Sequence, residues 1–169
     1  MHIKALPYDP AWTHAFASEK QRLIDLDILG LDAIHHIGST AVPGITAKPV
    51  IDILLEVRAL ELLELHHKDF SALGYEALGE FGVQGRRYYR KIGKSLSIHI
   101  HAFQSGNPQI VKNIAFRDYL RQHPKVRDSY KSIKTRATHK NTRSNEHYGG
   151  GKHDFIQHHE KLALKWYQS

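Results

Sequence analysis

Asp52 stands in the run V-I-D-I-L-L-E-V, residues 50–57, whose apolar character is nearly continuous. A carboxylate in such a run needs a partner: a metal, a base or a hydrogen-bond donor. The segment before it reads H-H-I-G-S-T-A-V-P-G-I-T-A-K-P. Gly38, Ser39 and Thr40 lie at the end of a short apolar strand, where small residues bring backbone N–H groups close to a phosphate. Lys48 adds a positive charge in the loop that follows. The chemistry suggested is that of a phosphate site beside a metal.

A second set lies in L-S-I-H-I-H-A-F, residues 96–103. Strand alternation puts His99 and His101 on one face with Ser97, and Ile98 and Ile100 on the other. Two imidazoles at this spacing reach one metal ion. Beside the Asp52 strand they would make a three-ligand site of Asp52, His99 and His101. Imidazole favours Zn²⁺, Mn²⁺ or Fe²⁺ over Mg²⁺. Phosphoryl or nucleotidyl transfer through Mg²⁺ ordinarily uses hard oxygen ligands. A second acid two residues after Asp52 would share its face, but that position is Leu54. Glu56 lies roughly 13 Å further along the strand, too far to share one ion, and reads as a strand-end surface acid.

Arginines form the third set. In G-E-F-G-V-Q-G-R-R-Y-Y-R-K a glycine loop feeds a strand. Alternation places Arg86, Tyr88 and Arg90 on one face, Arg87 and Tyr89 on the other. Arg117 follows in F-R-D-Y-L-R. Guanidinium forks suit phosphate or carboxylate recognition.

The elements that position these residues can be read along the chain. Asp9-Pro10 opens a helix carrying Trp12, Phe16, Leu23 and Leu26 as its core stripe, with Gly30 ending it. Residues 33–37 and 50–57 are strands. Residues 59–73 have the spacing of an amphipathic helix, stopped by Gly74, and residues 75–78 suit a brief strand. Gly93-Lys94 marks a hairpin turn before the His99 strand. Asn107-Pro108 caps a helix to about Gln122, with Ile110, Ile114 and Leu120 inward. Pro124 starts another, with Val126, Tyr130 and Ile133 on one face. Residues 138–153 are polar and Gly-rich and read as a mobile surface loop. A last helix, 154–167, directs Phe155, Leu162 and Trp166 to the core. Strands in the middle with helices at both ends predict an α+β fold around one mixed or antiparallel sheet.

Composition sets the bounds. The 169 residues suit one domain over 1–169. With no cysteine, disulfides and thiolate metal sites are excluded. The N-terminus lacks the apolar run of a signal peptide, and no stretch is long and apolar enough for a bilayer. The expectation is a cytoplasmic chain without membrane contact. A formal charge of +7, with 14 histidines besides, favours anionic partners. A nucleotide or other phosphate-bearing small molecule is preferred, with nucleic acid less favoured.

Together, H-H-I-G-S-T-A-V-P-G-I-T-A-K-P-V-I-D-I, G-E-F-G-V-Q-G-R-R-Y-Y-R-K, H-I-H-A-F and A-F-R-D-Y-L-R-Q-H-P resemble the GrpB family over nearly the whole chain, in order. The resemblance implies a nucleotidyltransferase-like fold: a polymerase-β type mixed sheet flanked by helices, here with a helical C-terminal part. Members of the family occur alone or fused to dephospho-CoA kinase domains, where the added domain is described as a folding accessory. Gly38 and Ser39 match the superfamily's Gly-Ser turn, and Asp52 matches its first catalytic acid. Leu54 replaces the second acid, and the His99/His101 strand resembles the one that carries the third.

The expected site therefore has Asp52, Arg87 and Arg117 in catalytic roles. Gly38, Ser39, Thr40 and Lys48 would hold phosphate. Asp52, His99 and His101 would hold a divalent ion, Mg²⁺, Mn²⁺ or Zn²⁺. The leading expectation is metal-dependent phosphoryl or nucleotidyl transfer. A non-catalytic nucleotide-binding or folding-accessory domain, and a metal-dependent phosphohydrolase, stay open beside it.

Overall fold

The computed structural model describes residues 5–139 and 145–169, without the side chains of 131 and 133–153. Helix α1 (Ala11–Asp25) begins as its sequence predicts: Asp9 Oδ1 accepts the Ala11 N–H at 2.9 Å. It ends at Asp25, before Gly30, which sits at φ +78° where the chain enters strand β1 (Leu31–Ile37). A 3-10 turn, Ser39–Ala41, and a loop lead to β2 (Val50–Val57).

The segment predicted as one helix over 59–73 divides into two. Leu60–His66 is a 3-10 helix, and only His67–Ala72 (α2) is α-helical. The tighter three-residue repeat stacks Leu60 and Leu63 on the core side and leaves Leu65 exposed. Short strand β3 (Glu76–Ala77), then β4 (Arg86–Lys91) and β5 (Ser97–Gln104), complete a five-stranded sheet in the order β1-β2-β5-β4-β3. The central pair, β2 and β5, is parallel, and the other pairs are antiparallel, so the sheet is mixed. Its tight β4–β5 turn depends on Gly93, where an added Cβ would run into the Leu96 carbonyl oxygen.

Helix α3 (Pro108–Gln122) starts at an Asn107 cap, whose side chain accepts the Gln109 N–H. Helices α4 (Pro124–His139) and α5 (Asn145–Gln168) follow. The last helix begins nine residues before the predicted Asp154, so the backbone over 145–153 is helical where a mobile loop was expected; positions 140–144 of that loop lie outside the described residues. Among the described side chains of α5 Ala163 is the buried one, and Leu162 faces solvent, one position off the predicted stripe. Val126 and Tyr130 pack with Val42, Ile45 and Leu120 as expected, and Ile133 lies outside the described side chains.

The sheet's two faces differ. One carries Ile51, Ile53, Leu55, Tyr89, Ile98, Ile100 and Ala102 against Trp12, Leu23, Leu63 and Phe70, forming the main core. Within it Glu19 is buried yet triply bonded: Tyr75 Oη, Lys91 Nζ and Arg22 Nη1 all donate to it. Burial alone would raise its pKa, and these donors lower it instead. The opposite face is half covered. Leu54 is fully buried there with Ile37, Phe103 and Ile110 of α3, whereas Asp52, one pleat earlier, is partly open.

Candidate functional site

Parallel pairing sets Asp52 beside His99 and Leu54 beside His101, and antiparallel pairing sets His101 beside Tyr88 and His99 beside Arg90. Paired residues project to the same side, so Asp52, His99, His101, Tyr88, Arg86 and Arg90 share the half-covered face. Asp52 Oδ1 lies 2.9 Å from His101 Nε2 and 3.8 Å from His99 Nδ1. Arg86 Nη1 lies 3.1 Å from His101 Nδ1. A guanidinium only donates, so His101 accepts at Nδ1 and donates its Nε2–H to Asp52. The three side chains form one hydrogen-bonded chain.

Arg86 is held from behind by the glycine loop. Its Nη2 donates to the Phe81 carbonyl at 2.8 Å and its Nε to the Glu80 carbonyl at 3.2 Å. Its guanidinium also covers the Tyr88 ring at 4.6 Å, while Tyr88 stacks on His101. Phe81 meets Tyr88 edge-on and is 55% exposed, with φ +47°. Burial lowers the basicity of Arg86 and of His99; the Asp52 charge opposes it in both. Arg90 Nε is a buried donor with no acceptor among the described residues.

Gly38 roofs the carboxylate. It has φ +77° and ψ −175°, a conformation open essentially to glycine alone, and a Cβ there would lie 2.6 Å from Asp52 Oδ2. The residue is thus fixed by both backbone and space. Ser39 follows it in the 3-10 turn, partly exposed.

Other expected members stand elsewhere. Thr40 is buried: its hydroxyl donates to the Val50 carbonyl and accepts from His36 Nε2, tying the turn to β2 rather than facing a phosphate. Arg87 shares the core-side face with Tyr89, opposite Asp52, and its Nη1 bonds the Arg86 carbonyl. The arginine beside Asp52 is Arg86, one position earlier. Arg117 donates from Nε to Asp118 and from Nη1 to the His36 carbonyl, in a cleft at the β1 edge lined by neither Asp52 nor His101. Lys48 is exposed in the loop before β2. Glu56 pairs with His35 and stays apart from Asp52.

Arg86, Tyr88 and Phe81 were not among the expected site residues. Alternation in R-R-Y-Y-R put Arg86 and Tyr88 on one face, but only the register with β5 shows that this face is that of Asp52.

A divalent ion can be tested against these donors. Asp52 Oδ1 and His99 Nδ1 have the spacing of two ligands sharing one ion, leaving its other positions to phosphate oxygens and water. His101 is engaged at both nitrogens and points an N–H, not a lone pair, at Asp52. Among the described residues no group of three His, Cys, Asp or Glu side chains is arranged to hold a metal.

An α+β domain with a mixed sheet and an acid–imidazole–guanidinium face is the class that these observations define. The chain belongs to the GrpB family: the GrpB protein family matches residues 2–162. It is 38% identical over 164 residues to the UPF0157 protein YqkA of Bacillus subtilis, covering 97% of this chain and 48% of that protein. This chain thus spans about half the length of that relative. The Glutamate-rich protein GrpB of Alkalihalophilus pseudofirmus is 30% identical over 152 residues, 86% of each chain. The crystal structure of the conserved protein GrpB from Enterococcus faecalis superposes with a TM-score of 0.89 at 39% identity, covering 98% of this chain and all of that one. Among the described residues no helix is long and apolar enough to cross a membrane.

Proposed function

We propose that the Asp52 face binds a nucleotide or related phosphate compound and supports phosphoryl or nucleotidyl transfer. The observation that carries this reading is the Asp52–His101–Arg86 chain beneath Gly38. Asp52 is a partly open carboxylate with a fixed orientation. Arg86 and Arg90 supply positive charge on the same face, and the exposed Phe81 beside Tyr88 offers a ring for a base to stack on. Gly38 and Ser39 bring backbone close to the carboxylate, and Lys48 stands in the adjoining loop. A divalent ion carried in with the phosphates would sit at Asp52 and His99 and would neutralise charge on the transferred group.

A second reading, a binding domain without catalysis, draws on Leu54. That side chain is locked into the apolar cluster with Ile37, Phe103 and Ile110, where a second metal-binding acid would otherwise stand.

The test is a panel of nucleotides titrated in the presence of Mg²⁺, Mn²⁺ or Zn²⁺ against the wild type and Asp52→Ala, with thermal stabilisation and product formation both measured. Metal-dependent stabilisation with turnover, lost in Asp52→Ala, supports transfer. Stabilisation without turnover supports the binding domain. Phosphate release without transfer to an acceptor identifies a phosphohydrolase. No stabilisation by any member of the panel overturns the assignment of a nucleotide site.

A further inference from the structure

Strand β1 forms one edge of the sheet, and a cleft of about 580 Å³ opens beside it. Three arginines line this cleft, Arg117 and Arg121 from α3 and Arg127 from α4, together with Tyr8, Phe16 and His36. None of Asp52, His99, His101, Arg86, Tyr88 and Arg90 lines it.

Each arginine is anchored by part of its fork. Arg117 donates from Nε to Asp118 Oδ1 at 2.9 Å and from Nη1 to the His36 carbonyl at 3.0 Å. Arg121 Nε donates to the Ala41 carbonyl at 2.9 Å, and Arg127 Nη1 reaches the Arg121 carbonyl at 3.4 Å. Nη2 of each has no hydrogen-bond acceptor among the described residues. Among the described residues Asp118 is the one carboxylate in contact with this group, 3.7 Å from Arg121 Nη1 as well. Among the described residues three cations thus share one counter-charge in a concave site, and the Arg117 side chain is only 15% exposed. Burial, then the neighbouring Arg117, lowers the basicity of Arg121. Like charges held together by carbonyl anchors are relieved by an anion.

We infer that this cleft is a second ligand site, which takes a small phosphate monoester or diphosphate with its organic part against Tyr8 and Phe16. A phosphate group has enough terminal oxygens to accept from several guanidiniums at once, whereas a carboxylate is satisfied by one bidentate fork. The aromatic wall suits the apolar or ring part of an ester. A cleft of this size admits a small molecule rather than a nucleic-acid duplex. The inference is independent of the Asp52 reading, because no residue is shared.

The test uses pyrophosphate and phenyl phosphate as probes of the full chain, followed by amide NMR and calorimetry, with malonate as the carboxylate control. Binding should perturb the amides of Ala41, Arg117 and Arg121. Affinity should fall about tenfold or more in Arg121→Gln and in Arg127→Gln, and be kept in Asp52→Asn. Arg127 makes one long hydrogen bond, so its variant tests binding with little risk to the fold. Phenyl phosphate should bind more tightly than inorganic phosphate. Undiminished affinity in both arginine variants overturns the proposal, as does equal binding of malonate. Perturbations confined to Gly38, Ser39 and Asp52 also overturn it, while leaving the Asp52 reading intact.

Discussion

Arg86 and His101 meet at 3.1 Å, and the contact has one polarity: Nη1 donates and Nδ1 accepts. The imidazole proton is thereby placed on Nε2, facing Asp52. Nitrogen NMR of the labelled protein should report His101 as the Nε2–H tautomer. Replacing Arg86 with methionine should release that preference and weaken phosphate-compound binding. A wild-type spectrum with the proton on Nδ1 would contradict the geometry.

Gly38→Ala meets two obstacles at once, a backbone conformation closed to alanine and a Cβ 2.6 Å from Asp52 Oδ2. The variant should lose about 1–3 kcal/mol of stability. Loss of ligand response beyond that expected from the lower melting temperature would trace to a displaced carboxylate. A variant with unchanged melting temperature and unchanged ligand response would show that the turn relaxes freely.

Leu54 stands where a second acid was expected from the sequence, and it serves the packing of α3 on the sheet. Leu54→Ala should cost about 3 kcal/mol by leaving a cavity. Leu54→Asp should cost more, since it also buries a charge, and should not raise metal-dependent turnover above that of the wild type. Denaturant titration of both variants, with the activity panel repeated on the second, checks the order.

His36 is buried against Phe16, and its pKa is lowered to about 4, by burial first and then by Arg121 and Arg117, with Asp52 opposing. Between pH 6.5 and about 4 the unfolded chain binds a proton there that the folded chain refuses. This contribution to stability is therefore complete above pH 6.5 and is lost as pH falls towards 4, on the order of 3 kcal/mol. His99 is shifted in the same direction, so the comparison must be with His36→Gln, which keeps an N–H donor for Thr40. Urea unfolding at several pH values should show the shallower acid-side slope in the variant. Equal slopes would remove His36 as a cause.

The strands around Asp52 and His99 were legible because β-rich runs and alternation are local properties, and Asn107-Pro108 announced α3 in the same way. The 3-10 helix at 60–66 was hidden, since leucines at mixed spacings satisfy an α-helical stripe almost as well. Leu162 was misplaced by one position for a different reason: what faces the core depends on how α5 rolls against α3, and small Ala163 is what fits there. At the site, Asp52, His99 and His101 were readable as sharing a face, but which of Arg86 and Arg87 joined them was not. That choice rests on the β4–β5 register. Thr40 looked like a ligand by composition and proved a brace, because its partners, His36 and Val50, are set by the turn's path.

Asp52 and His101 are separated by 49 positions and meet only when β5 docks in parallel beside β2. Parallel pairing across so long a crossover is a non-local step, and such steps come at a high cost in chain entropy. The acid–imidazole bond is therefore a reporter of completed sheet assembly: until Ser97–Gln104 has docked, Asp52 has neither His99 nor His101 beside it.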